Sequence, residues 1–252
     1  MPEPATSAFP IRQKVEIRFE KRPEIRFVSH LDIARAFERT IRRARIAVRL
    51  TQGFNPHPRI IFPVPIEVGA VSLDDVAEME MAEEMHPSEI SARLDRHFPP
   101  GLAARGVTPI PCARRARKVR ELRYALDLKD VPWRLSWGDV EAFMAAETVM
   151  ADRRGRRDGT KRGAVNARSA VTDVKLDGSR VLLGLRPIPG LFVRADEVLA
   201  CIARKKVEEL IGVDIIRLRV EMDDAASGEE MEGCGRVDPA SRGNGGADIS
   251  RG

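Results

Sequence analysis

An α+β chain made of two ferredoxin-like (split βαβ) halves in tandem, followed by a disordered acidic C-terminal tail, is predicted by three observations. From residue 12 onward, apolar residues first alternate in short runs and then step by three or four, in the order strand, helix, strands, helix, strand. The same order recurs more loosely beyond residue 115. The last thirty residues, from Asp223, then hold seven acids against three arginines, with seven glycines and almost no periodic apolar residues. These observations set the halves at 12–112 and 120–222 and the tail at 223–252.

Val15, Ile17 and Phe19 alternate with Glu16, Arg18 and Glu20, the pattern of a half-buried strand, which Ile25 and Phe27 extend past the Arg22-Pro23 turn. A helix opens at Ser29 and runs to about Arg45, with Leu31, Ala34, Phe37, Ile41 and Ala44 as its apolar stripe. Short strands are predicted over 47–50, 59–62 and 76–81, a helix after His86-Pro87 with Ile90 and Leu94 inward, and a strand over 102–110. In the second half, Leu122, Tyr124, Leu126 and Leu128 form a strand, and 137–147 a helix. The stretch 164–174 leads to a hairpin at Asp177-Gly178, followed by a helix over 195–210 and a strand over 214–221.

The chain has 252 residues, 43% hydrophobic and 32% charged, which excludes collagenous, mucin-like and wholly disordered classes. No apolar run approaches the ~20 residues of a membrane span, and the start MPEPATSAFP has neither a basic nor an apolar stretch, so a cytoplasmic protein without membrane association is expected. Cys112, Cys201 and Cys234 are too scattered for a CxxC metal site or a disulfide framework. No metal or other cofactor is expected.

The formal charge of +5 divides into −4 on the tail and +9 on the rest. Of the 43 basic residues only eight are Lys, and the planar guanidinium favours phosphate. Five basic residues between 113 and 120 mark a linker or the lead-in to a strand. A Gly-punctuated loop, 152–168, carries Arg153, Arg154, Arg156, Arg157, Lys161, Arg162 and Arg168 against two acids. It is either a solvated loop or a phosphate-contacting arm.

Two segments stand out as motifs. The first is Arg26-Phe27-Val28-Ser29-His30-Leu31-Asp32 with the arginine-rich helix behind it. The second is Gly53-Phe54-Asn55-Pro56-His57-Pro58, with Pro65 and Val68-Gly69 beyond. Together they resemble the radical-SAM-linked domain family of unknown function, which pairs an "RF-SHLD" segment with "GFNPHP". The resemblance covers residues 14 to about 222 and is weaker in the second half, where Asn166 stands at a position the family pattern gives to Asp. It implies a stand-alone or C-terminal partner of a radical SAM protein. The chain has no CxxxCxxC run, so cluster chemistry would belong to that partner.

Ser29 is placed as a helix N-cap and Asp32 as its capping-box partner, a pairing worth about 1 kcal/mol; alternatively Ser29, His30 and Asp32 line a ligand cleft at a helix start. Arg35, Arg39, Arg42 and Arg43 form either a solvated face, on which Glu38 pairs with Arg42, or a phosphate ladder. The 52–58 loop fixes Asn55 and His57 in direction, with Phe54 either plugged into the core or part of a binding surface. His30 and His57 lack a third ligand for a metal. Aromatic content is 5% and no RNA-recognition strand pattern is present, so any RNA is expected to be held by phosphate and shape.

The function expected is a radical-SAM-associated accessory protein without catalysis of its own, binding RNA or a ribonucleoprotein. Two alternatives stand beside it. One is an RNA-modifying or RNA-cleaving enzyme of pseudouridine-synthase-like or CRISPR-endonuclease-like architecture, using Asp32 as nucleophile or His30 and His57 as acid and base. The other is a protein-docking scaffold that binds no RNA.

Overall fold

The alternation at the start of the chain forms β1 (Gln13–Lys21), whose Val15, Ile17 and Phe19 are fully buried. The computed structural model describes residues 11–112, 117–151 and 163–223. β1 lies antiparallel between β3 (Ala70–Met81) and β4 (Leu102–Ile110), and β2 (Ile60–Ile61) pairs with β3. α1 (His30–Ala44) and α2 (Pro87–His97) pack over this sheet. Phe37 is the hub of their core, edge-on to Phe19 at 4.9 Å, to Phe98 at 4.9 Å and to Phe62 at 5.3 Å.

In the second half β5 (Val119–Asp127) lies antiparallel between β10 (Asp214–Met222) and β9 (Arg180–Leu185), with β8 (Val171–Asp177) beyond β9. α3 (Trp137–Ala145) and α4 (Ala195–Ala203) contribute to a second hydrophobic core, and β6 (Met150–Ala151) with β7 (Val165–Asn166) makes a small ribbon. The halves meet where β10 runs parallel to β3, Arg217 opposite Ser72, giving one eight-stranded mixed sheet. The described residues thus form an α/β structure with four α-helices.

The sheet face away from Val15, Ile17 and Phe19 is ionic. Lys14 meets Glu78 at 2.8 Å, Arg49 and Arg59 share Glu80 at 3.1 and 2.8 Å, and Arg18 bridges to Asp74 at 3.1 Å. Arg18 also donates to the Val220 carbonyl at 2.6 Å, so it reaches from the first half to the second. Alternation therefore identified the strand, but its polar side is covered by partner charges and not by water.

Several expectations are corrected. The buried stripe of α1 is Ile33, Ala36, Phe37, Thr40, Ile41 and Ala44, while Leu31 is 65% exposed. The two stripes share Phe37, Ile41 and Ala44, and the hydroxyl of Thr40, which donates to the His97 carbonyl at 3.3 Å, hid the true one. Residues 47–50 make only isolated bridges, Val48 to Met81 and Leu50 to Pro58. The strand expected at 76 starts at Ala70 because its first residues pair with β10. The last helix ends at Ala203, where Arg204 turns left-handed with φ 52°, and Val207–Leu210 is a separate 3-10 turn. The basic cluster of Arg153, Arg154, Arg156, Arg157, Lys161 and Arg162 and the tail from residue 224 lie outside the described residues.

Candidate functional site

Past a bulge after Phe19, β1 ends on Lys21, and the chain turns through Pro23–Ile25 to run beside Pro65–Gly69. Gly69 N–H donates to Arg26 O at 2.8 Å and Ile66 N–H to His30 Nδ1 at 3.4 Å. Lys21 Nζ holds the two segments together, donating to Arg26 O and Glu67 O at 2.7 Å each. The SHLD segment and the Pro65/Val68-Gly69 segment are therefore one structural unit.

The second half drives a guanidinium into it. Arg217 of β10, 1% exposed, donates to Asp75 Oδ2 at 2.9 Å, to Pro65 O at 2.9 Å, to Glu67 Oε1 at 3.1 Å and to the Tyr124 hydroxyl at 3.1 Å. The Tyr124 hydroxyl donates in turn to Glu67 Oε1. Arg194 pairs with Asp196 at 2.7 Å and stands 3.9 Å from Glu67 Oε2, and Arg26 pairs with Asp214 at 2.7 Å. Two buried carboxylates and a buried guanidinium offset one another's desolvation only through such close geometry.

This junction moves its titrations. Burial, then the charge of Arg217, lowers Lys21 to about 8, against the pull of Asp75 and Glu67. Burial lowers His30, with Arg217 adding to the shift and Asp75 opposing it. Burial raises Asp196 to about 6, helped by Glu67 and Glu197 and opposed by Arg194. Tyr124 is pushed well above its usual value by burial, which keeps its hydroxyl a donor.

The second feature lies along α1. Ser29 caps the helix, accepting from Asp32 N–H at 3.2 Å, while its own hydroxyl donates to the Asp32 carboxylate at 2.7 Å. The reciprocal bond of a full capping box, from Ser29 N–H to Asp32, is not formed. Hydrogen bonding from Ser29, with Arg35 3.2 Å away, holds Asp32 below the usual carboxylate range. Arg43 donates to the His97 carbonyl at 2.6 Å, tying α1 to the end of α2. Arg39, Arg42 and Arg45 are exposed and have no carboxylate within ion-pair distance among the described residues.

The loop carrying Gly53 to Pro58 folds against this face. Thr51 N–H donates to His57 O at 2.8 Å and His57 N–H to Thr51 Oγ1 at 3.0 Å, closing the loop, and Gly53 sits at φ 129° where a side chain would be strained. His57 Nδ1 lies 3.4 Å from Glu38 Oε2, so the acid expected to pair with Arg42 is taken by the loop. Between loop and helix lies an open groove of about 370 Å³, floored by Ile41, Ile46, Val48 and Pro58. Leu50 and Pro56 also line it, together with Arg42 and Arg45.

The sequence-predicted residues are thus divided between two places. His30 belongs to the junction, edge-on to Phe62 at 5.3 Å, whereas His57 is clamped to Glu38, about two helical turns further along α1. The two histidines do not converge, and Asp32 meets neither in a hydrogen bond. Phe54 is fully exposed at the loop tip, so of its two expected placements the core plug is not the one formed, and Asn55 is exposed beside it. Asn166 accepts from Val149 N–H at 3.1 Å and holds the β6–β7 ribbon. Among the described residues no group of three His, Cys, Asp or Glu side chains is placed for a metal, and no helix is long and apolar enough to cross a membrane.

Sequence reading missed Glu67, Asp75, Tyr124, Arg194 and Arg217 at the junction, and Arg45 and Leu50 at the groove. The signals for the junction were the SHLD segment, with Arg26 and His30, and Pro65 and Val68-Gly69, which bracket Glu67. No curated protein matches the chain. Among solved structures it is similar to one described as "Crystal Structure of an Unknown Protein from Galdieria sulphuraria", at 15% identity over 83% of this chain and 98% of that one, with a TM-score of 0.25. Residues 14–207, which include both motif segments and the groove, match the family model described as "Uncharacterized protein conserved in bacteria (DUF2344)", and the chain belongs to that family.

Proposed function

We propose that this chain is an accessory protein that binds RNA or a ribonucleoprotein for a modification or processing step carried out by a radical SAM partner. The observation that carries the reading is the set of exposed arginines Arg39, Arg42 and Arg45, none with a carboxylate within ion-pair distance among the described residues, with Arg42 and Arg45 lining the groove beside the 52–58 loop. Guanidiniums free of carboxylates are available to phosphate, and each one used would release counterions on binding. The radical SAM association rests on the SHLD and GFNPHP segments, and the cluster chemistry would be the partner's, since this sequence has no CxxxCxxC run. A cytoplasmic location follows from that association.

Two ferredoxin-like halves remain our finer reading of the fold. Its support is that each half gives four strands to the main sheet in the same antiparallel order, the first of the four between the last and the third, with the second beyond the third. The non-catalytic reading is favoured over the enzymatic one because Asp32 is engaged by Ser29 and Arg35 while His30 and His57 lie apart.

The test is the affinity of the full chain for a structured RNA, measured against salt. A log–log slope that falls by about one for each of Arg39→Gln, Arg42→Gln and Arg45→Gln is expected. No detectable binding at about 50 mM salt, where phosphate contacts are strong, overturns the reading. A nuclease-resistant co-purification with a radical SAM protein, combined with that failure, would leave the docking scaffold.

A further inference from the structure

We infer that the groove between α1 and the 52–58 loop receives a single unpaired nucleotide of RNA, its base on the apolar floor and its flanking phosphates on Arg42 and Arg45. The inference rests on the RNA-binding reading above and specifies what that site takes. A volume of about 370 Å³ suits one nucleoside and is too small for a base pair within a duplex. The floor of Ile41, Ile46, Val48 and Pro58 offers flat apolar contact and no side-chain hydrogen-bonding group, so it would accept the face of any base without reading its edge.

The surroundings fit the same occupant. Two guanidiniums at the groove, with Glu38 withdrawn by His57, call for an anion beside an apolar body, which describes a nucleotide. The wall is held in advance by the Thr51–His57 bonds, so little ordering is needed on binding. Phe54, 106% exposed at the tip of that wall, supplies a ring on which a neighbouring unstacked base can lie. The stacking surface is therefore on a loop and not on a strand of the sheet.

The test compares a labelled single-stranded 12-nucleotide RNA, the blunt duplex containing it, inorganic polyphosphate and a polyglutamate peptide. Each is titrated into the full chain and into the Phe54→Ala and Leu50→Gln variants, both at exposed positions that leave the charge unchanged. The expected result is single-strand binding at least tenfold tighter than duplex binding. Phe54→Ala should weaken the single strand by about fivefold or more, and Leu50→Gln should weaken it severalfold, with duplex and polyphosphate affinities unchanged. Equal affinity for single strand and duplex, with neither variant discriminating, overturns the nucleotide groove and leaves phosphate binding standing. No binding of any nucleic acid overturns both readings, and polyglutamate displacing the RNA from the groove would reassign it to an acidic protein.

Discussion

His57 Nδ1 lies 3.4 Å from Glu38 Oε2, and that contact directs the Glu38 carboxylate to the loop and not to Arg42. Glu38 stands four residues before Arg42, the spacing at which a helix pairs opposite charges. Because the loop histidine takes the carboxylate, Arg42 lines the groove with no carboxylate within ion-pair distance among the described residues. Glu38→Gln, which can still hydrogen-bond His57, should strengthen RNA binding severalfold at low salt and steepen its salt dependence. Weaker binding on titration would mean that the loop needs the charge it has.

The arginines of α1 should separate by role. Arg43 bonds to the His97 carbonyl, so Arg43→Gln is expected to lower thermal stability while leaving RNA affinity close to that of the parent chain. Arg39→Gln and Arg42→Gln should do the opposite. Melting curves measured beside binding isotherms distinguish these outcomes, and a uniform loss of affinity across all three would restore an undivided ladder.

Arg217→Met should be among the most destabilising single changes in the chain. It leaves Asp75 and Glu67 buried without their countercharge, a situation that costs about 3–5 kcal/mol. A drop in melting temperature on the order of 10 °C is expected for a chain of this size. A shift within 2–3 °C would mean that the carboxylates take up protons or water at little cost.

Stability should depend on pH in two windows set by the junction. Lys21 titrates near 8 in the folded chain and at 10.5 when unfolded, so between these values the unfolded chain binds more protons and stability rises with pH. Asp196 titrates near 6 folded and at 3.8 unfolded, so from about pH 4 to 6 the folded chain binds more protons and stability falls as pH rises. Asp196→Asn should flatten the acid window, an effect on the order of 3 kcal/mol, and Lys21→Met the alkaline one. Denaturant unfolding from pH 4 to 10 checks both slopes, and unchanged slopes in the variants would place the titration elsewhere.

Ser29→Ala should cost about 1 kcal/mol through loss of the cap. Asp32→Asn should fold and bind RNA as the parent does. An Asp32→Asn chain of normal stability that abolished a tRNA modification would instead point to a nucleophile.

What could be read from the sequence was local. The alternation of Val15, Ile17 and Phe19, the Ser29 cap and the rigid loop from Gly53 to Pro58 are each encoded within a few residues, and the structure has all three. The α1 stripe was misread because Leu31 and Ile33 are equally apolar, and only packing in the first core, which takes Ile33 and leaves Leu31 exposed, selects between the two faces. The junction was out of reach: Glu67 and Arg217 are 150 positions apart, and only the parallel register of β3 and β10 brings them together. Phe54 was ambiguous because an aromatic residue between Gly and Asn is equally compatible with a core plug and an exposed tip.

β3 accepts β10 at Ala70–Ser72 and β2 at Met79 and Glu78, so it is the strand on which the first half borders both its own short strand and the last strand of the second half. The middle of the sheet cannot be completed until residues 214–222 have left the ribosome. Until then Asp75 and Glu67 wait for a guanidinium that is among the last described residues to be synthesised. The nascent first half is thereby left with an unpaired acidic pair beside an open strand edge, and a chain stalled before Asp214 should be a preferred substrate for chaperones and proteases.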